Sequence, residues 1–77
     1  MANRYVLHHK HLESFTSWLS QNGWVIVPTR GEYEVLRAIK HRRKYPLIIY
    51  TRLDAKEHYS VMDRDMPVIK KFLREVM

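Results

Sequence analysis

The chain predicts an α+β fold, a helix, a four-stranded antiparallel meander and a second helix, with both helices on one face of the sheet. Three observations predict it. Apolar residues recur at helical spacing near each end of the 77-residue sequence. Between those ends lie four runs rich in β-branched and aromatic residues, "WVIVPT", "EYEVLRAIK", "PLIIYTRL" and "EHYSVM". Gly31, a short basic loop and Asp54-Ala55-Lys56 mark the turns that join successive runs.

In order along the chain, "RYVL", Arg4 to Leu7, either adds a short strand or packs against a sheet edge. From His9 to Asn22, Leu12, Phe15 and Leu19 with Trp18 fall on one helical face, and Gly23 follows where a left-handed C-cap belongs. Trp24 to Thr29 reads as a strand. Pro28 lacks an N–H, which places that strand at an edge. Glu32 to Lys40 would tolerate a helix by propensity alone, but Gly31 before it and the apolar strand Pro46 to Leu53 after it favour a hairpin. Glu57 to Met62 returns as the fourth strand. Asp63 or Asp65 then caps a helix with Pro67 in its first turn and Ile69, Phe72, Leu73 and Val76 on one face. Lys70, Lys71 and Arg74 lie opposite, toward solvent. No repeat, linker or second domain interrupts residues 1–77.

Composition narrows the function classes. A hydrophobic content of 45% is too high for a disordered chain. Without cysteine there is no disulfide framework and no thiolate metal site, so a core this small relies on tight packing or self-association. Apolar runs fall well short of the roughly 20 residues that span a bilayer, and the N-terminus lacks a signal-like apolar segment. The expectation is a cytoplasmic protein with no membrane partner. Fourteen Lys and Arg against eight Asp and Glu give a net charge of +6. That balance favours polyanions or acidic protein surfaces.

Catalytic patterns are weak. Glu32 and Glu34 with Asp54 and Lys56 have the spacing of acidic-x-Lys elements in metal-dependent nucleases, where carboxylates hold a divalent ion and lysine positions the attacking water. A turn explains Asp54-Ala55-Lys56 more simply, because Asp is a standard turn residue and such a spacing recurs by chance in charged sequences. His8 and His11 could chelate a metal from one helix face, but no further ligand at a defined spacing completes a site. Two glycines, Gly23 and Gly31, cannot make a phosphate-binding loop, and no nucleophile elbow occurs. No cofactor and no resident metal are expected.

The strongest candidate is "KHRRKYP", Lys40 to Pro46, at the tip of the central hairpin. Lys40, Arg42, Arg43 and Lys44, with the Lys70, Lys71 and Arg74 helix face, could neutralise phosphates, Tyr45 could stack on a base, and Arg37 and Arg52 would extend the patch across the open sheet face. The same arginines could instead pair with Glu32 or Glu34. Held away from the core, the tip is either a projecting contact finger for nucleic acid or a solvated turn.

The stretch "WLSQNGWVIVPTRGEYEVLRA" resembles the N-terminal half of HicA-type mRNA interferase toxins, small domains with a double-stranded-RNA-binding-like fold. In that family the glycine opens a Gly-Ser-His element whose histidine is catalytic. Here Gly31-Glu32-Tyr33 stands in its place, and a phenol cannot replace a base titrating near ~6.5, so the resemblance implies architecture and not ribonuclease activity. Around "GEYEVLRA", "PLIIY" and "LDAKEH" the chain also resembles small basic proteins encoded by bacteriophages and prophages. That resemblance implies a host-cytoplasm protein that binds a macromolecule stoichiometrically. The expectation is a non-enzymatic module for nucleic acid or a nucleic-acid-handling host protein. The alternatives are a protein-interaction or inhibitor domain, including a homodimer joined through an edge strand or the uncovered face, and a nuclease on Glu34, Asp54 and Lys56.

Overall fold

The computed structural model describes residues 2–51 and 57–76. The elements in chain order are β1 (Ala2–His8), a 3-10 turn (His9–His11), α1 (Leu12–Gln21), β2 (Trp24–Val27), β3 (Glu34–Lys40), β4 (Leu47–Tyr50), β5 (His58–Met62), a second 3-10 turn (Asp63–Asp65) and α2 (Met66–Val76). Strands β2 to β5 form the expected antiparallel meander, and β1 adds a fifth strand, giving the order β1-β5-β4-β3-β2. β1 pairs with β5 from Ala2↔Met62 to His8↔His58. The N-terminal segment is therefore a full edge strand and not a packed tail.

Local chemistry explains the helix ends. The Asn22 N–H donates to the Trp18 and Leu19 carbonyls, and Gly23 then takes φ +88°, a left-handed conformation that glycine adopts without steric penalty. Asp65 directly precedes α2, but its carboxylate turns inward to a side chain and leaves the first helical turn uncapped by it.

Both helices bury most of their apolar stripes in one core against Leu36, Ala38, Leu47, Ile49 and Val61 of the sheet, while Val76, expected on the buried face, stays 49% exposed in the last turn of α2. An aromatic cluster joins them: the Phe72 ring meets Phe15 edge-on at 5.0 Å and Trp18 at 5.5 Å, while Phe15 and Trp18 stack at 5.9 Å. Fully burying a Phe or Leu side chain is worth about 1.5–3 kcal/mol, which makes this cluster the main support of a small fold.

Two irregularities position the functional groups. Between Glu34↔Tyr50 and Leu36↔Ile49 the register shifts by one residue, a bulge that carries Glu34 to the side of the sheet facing away from the helices. β2 ends the sheet, as Pro28 just beyond it foretold. On the uncovered face Val25 and Ile39, partners across β2 and β3, remain 57% and 46% exposed. No helix among the described residues is long and apolar enough to cross a membrane.

Candidate nucleic-acid interface

Residues 41–46 link β3 to β4 in a loop that starts tightly. The Arg43 N–H donates to the Lys40 carbonyl at 3.0 Å, and Arg42 between them takes φ +69°. This turn leaves Arg42 exposed and sends the Arg43 side chain back toward the helices. There the Arg43 guanidinium pairs with Asp65, which is 1% exposed, and lies 4.8 Å from the centroid of the Trp24 ring. Farther along the loop, Tyr45 has the Arg64 guanidinium over its ring at 4.3 Å and the Lys44 ammonium at 5.5 Å.

The loop is consequently fastened at two places to the 3-10 turn that precedes α2. It is not the projecting finger that the charge run alone implied. Asp65 lies 22 residues from Arg43, so the partner that pulls the guanidinium inward becomes visible only after folding. Neither Arg43 Nη1 nor Asp65 Oδ2 has a hydrogen-bond partner, and both are buried. Such a half-satisfied pair fixes geometry more than it adds net stability.

The other expected contact residues separate into three groups. Lys40, Arg42 and Lys44 are exposed, and none forms an ion pair among the described residues; Tyr45 is 47% exposed. Lys40 spans the Trp24 ring at 5.6 Å and shares a hollow of about 230 Å³ with Lys71, walled by Trp18, Trp24 and Asn22. Pro67 borders this hollow and the next, which Lys70, Leu73 and Arg74 line. No acidic residue lines either one.

Arg37 is placed differently. On the uncovered face it makes a bidentate pair with Glu34, Nε to Oε1 at 2.8 Å and Nη2 to Oε2 at 2.9 Å. The Arg30 and Gly31 N–H groups donate to the same carboxylate at 3.2 and 3.0 Å, which closes the β2–β3 loop. The Arg37 guanidinium, with help from those amides, holds the Glu34 pKa down to about 2, and Glu34 in turn raises that of Arg37. The bulge makes this pairing occur within one strand, where the alternation of a regular strand would have put Glu34 and Arg37 on opposite faces. Arg52 lies outside the described residues.

Glu34 is thus fully engaged by donors, which removes its lone pairs from any metal. Asp54 and Lys56, the other members of that arrangement, lie outside the described residues. The histidines also rearrange: His8 ends β1 while His11 precedes α1, with its ring 6.5 Å from Phe72. His8 instead meets His58 across the β1–β5 pair at 4.9 Å and His9 at 4.6 Å. Desolvation first, then the adjacent imidazoles and Lys10, lowers its pKa against the opposing pull of Glu57. No group of three or more His, Cys, Asp or Glu among the described residues is arranged to hold a metal ion.

Sequence reasoning missed Asp65, Arg64 and Trp24 as parts of this region, and offered Lys71 as a phosphate contact or a solvated helix face without joining it to Lys40. The four share no sequence spacing with the loop. Fold and surface together define a small α+β module in which two neighbouring hollows, sharing Pro67, carry Lys40, Lys70, Lys71 and Arg74, with Glu75 held on Trp18 at the border. No protein-family model, curated protein or solved structure matches the chain.

Proposed function

We propose that this protein is a non-enzymatic module that binds nucleic acid in the cytoplasm, through the surface where the β3–β4 loop meets α2. The single observation that carries the reading is the hollow shared by Lys40 and Lys71, which joins the loop cations to the helix cations with no carboxylate between them. Exposed lysine and arginine held on rigid elements neutralise phosphates and release counterions, so the affinity is sequence-tolerant and steeply salt-dependent. Lys40, Arg42, Lys44 and Lys71 make the electrostatic contacts. Tyr45, with Arg64 over its ring, offers a place where a base continues the stack. Arg43 and Arg37 act from inside, the first by anchoring the loop and the second by closing the neighbouring one. The bacteriophage-like segments in the sequence support a stoichiometric role in a host cell.

Fluorescence anisotropy with a labelled oligonucleotide, single-stranded and duplex, across a salt series tests the proposal. Each phosphate contact contributes roughly 0.7–0.9 to the slope of log K against log salt, so Lys40→Ala with Lys71→Ala should lower that slope by roughly 1.4–1.8. No binding by the unmodified protein at low salt, or an unchanged slope in the double variant, would refute it.

A further inference from the structure

We infer that the uncovered face beside β2 is a second docking surface, which adjoins the basic loop and shares Lys44 with it, and that its occupant is an extended acidic protein segment that adds to the β2 edge. The floor is aliphatic. Val25 and Ile39 stand opposite each other and largely exposed, and Val27 and Pro46 continue the same surface. Exposed aliphatics that adjoin one another, unlike those scattered singly, are where a contact site is sought.

The rim is cationic. A groove of about 460 Å³ lies beside Val25 and over Val27, Ile39 and Pro46, with Arg30, Arg37, Arg43 and Lys44 in its walls and no carboxylate among its lining residues; Asp65 already pairs with Arg43. Glu34 offsets the charge of Arg37, whereas Arg30 and Lys44 form no ion pair among the described residues. An apolar centre with a charged rim has the anatomy of a protein–protein contact. The lining carries no aromatic ring, and a surface that binds bases by stacking needs one.

The edge supplies the backbone term. β2 pairs with β3 alone, and its sequence Trp-Val-Ile-Val contains none of the charges that usually guard an edge strand. Pro28 ends the available ladder, so an incoming strand pairs over these four residues and its flanking carboxylates reach Arg30 and Lys44. A second copy of this chain is disfavoured, because a twofold arrangement across β2 would present the same cationic rim to itself.

Selection of a random linear peptide library against the full-length protein tests the inference. Enriched peptides should carry Asp or Glu beside alternating Val, Ile or Thr. The best of them, made synthetically, should bind at least tenfold more weakly to Val25→Glu and to Arg30→Glu, and equally well to Lys71→Glu. Val25→Thr, which keeps β propensity, and thermal melts of each variant separate lost contact from lost fold. N-methylation of alternate peptide residues should abolish binding in one of the two phases and spare it in the other, as strand addition requires. Enrichment without acidic bias, no enrichment, or full binding to Val25→Glu overturns the inference. A dimer in light scattering that Val25→Glu dissociates would replace the acidic segment with a second copy, and displacement of the peptide by a thymidine oligonucleotide would assign the groove to nucleic acid. Because Lys71 belongs only to the loop and α2 surface, loss of oligonucleotide binding with retained peptide binding keeps the two surfaces distinguishable.

Discussion

Arg43→Ala offers the sharpest perturbation of this fold, because the residue belongs to a charge run and would cost almost nothing if the run were a solvated turn. In the structure it leaves Asp65, 1% exposed, as a buried carboxylate without its counter-charge. Breaking a buried pair in that way costs about 3–5 kcal/mol, and the lost contact with Trp24 adds about 0.5–1 kcal/mol. A chain of this length is stable by about 4–12 kcal/mol, and each 1 kcal/mol shifts the melting temperature by about 4–8 °C. Taking about 3 kcal/mol, urea denaturation followed by circular dichroism should show a large fraction of the stability gone, and Tm should fall by about 12–24 °C. Asp65→Ala should cost less, about 1–2 kcal/mol, since the Arg43 side chain is already 22% exposed and its long stem can carry the charge into water. Arg43→Met with Asp65→Leu, apolar on both sides, should return to within about 1 kcal/mol of the unmodified protein. Stability unchanged within about 0.5 kcal/mol in Arg43→Ala, or a greater loss in Asp65→Ala, would refute the latch.

Other expectations follow from the same geometry. Folded Glu34 titrates near 2 against 4.5 in an unperturbed chain, so its stabilisation is complete above pH 4.5 and fades as pH falls toward 2; Glu34→Gln should flatten that part of an acid-unfolding series, and an identical acid slope would show that the Arg37 pairing adds nothing. Phe72 is fully buried between Phe15 and Trp18, so Phe72→Ala should cost about 3–5 kcal/mol in urea unfolding and Phe72→Leu clearly less. At Gly23 an added Cβ meets nothing nearer than Lys40 Cε at 3.8 Å, and Gly23→Ala should therefore lose only the left-handed backbone penalty of about 1–2 kcal/mol. Arg42→Gly relieves a positive φ at an exposed site and should leave stability equal or higher while weakening oligonucleotide binding, a dissociation that calorimetry and anisotropy measured together will show.

Much of the architecture is legible in the sequence. Leu12, Phe15, Trp18 and Leu19 in the first helix, and Ile69 and Phe72 in the second, announce their buried faces by spacing alone, because a helix projects residues three and four apart to one side. Gly23 and Pro28 mark a helix end and a sheet edge for reasons intrinsic to one residue, a missing Cβ and a missing N–H. β1 was harder. "RYVL" carries no turn signal that separates a strand from a packed tail, and its pairing depends on β5, which lies some fifty residues away.

The candidate surface was legible as charge and illegible as geometry. Lys40, Arg42, Arg43, Lys44 and Tyr45 are adjacent in the chain, yet the fold gives them different tasks: Arg43 is drawn to a buried carboxylate and Lys40 is joined to Lys71 on another element. Pairing of Arg37 with Glu34 was one option the sequence left open, and the bulge that brings both to one face within a single strand decides it. Periodicity, net charge and the backbone limits of Gly and Pro are local properties, and the sequence alone determined them: an α+β chain, two amphipathic helices, a meander and a basic loop. Which charges are neutralised and which remain available was decided only by tertiary structure, because an ion pair depends on distances of a few ångströms between residues that no local rule brings together.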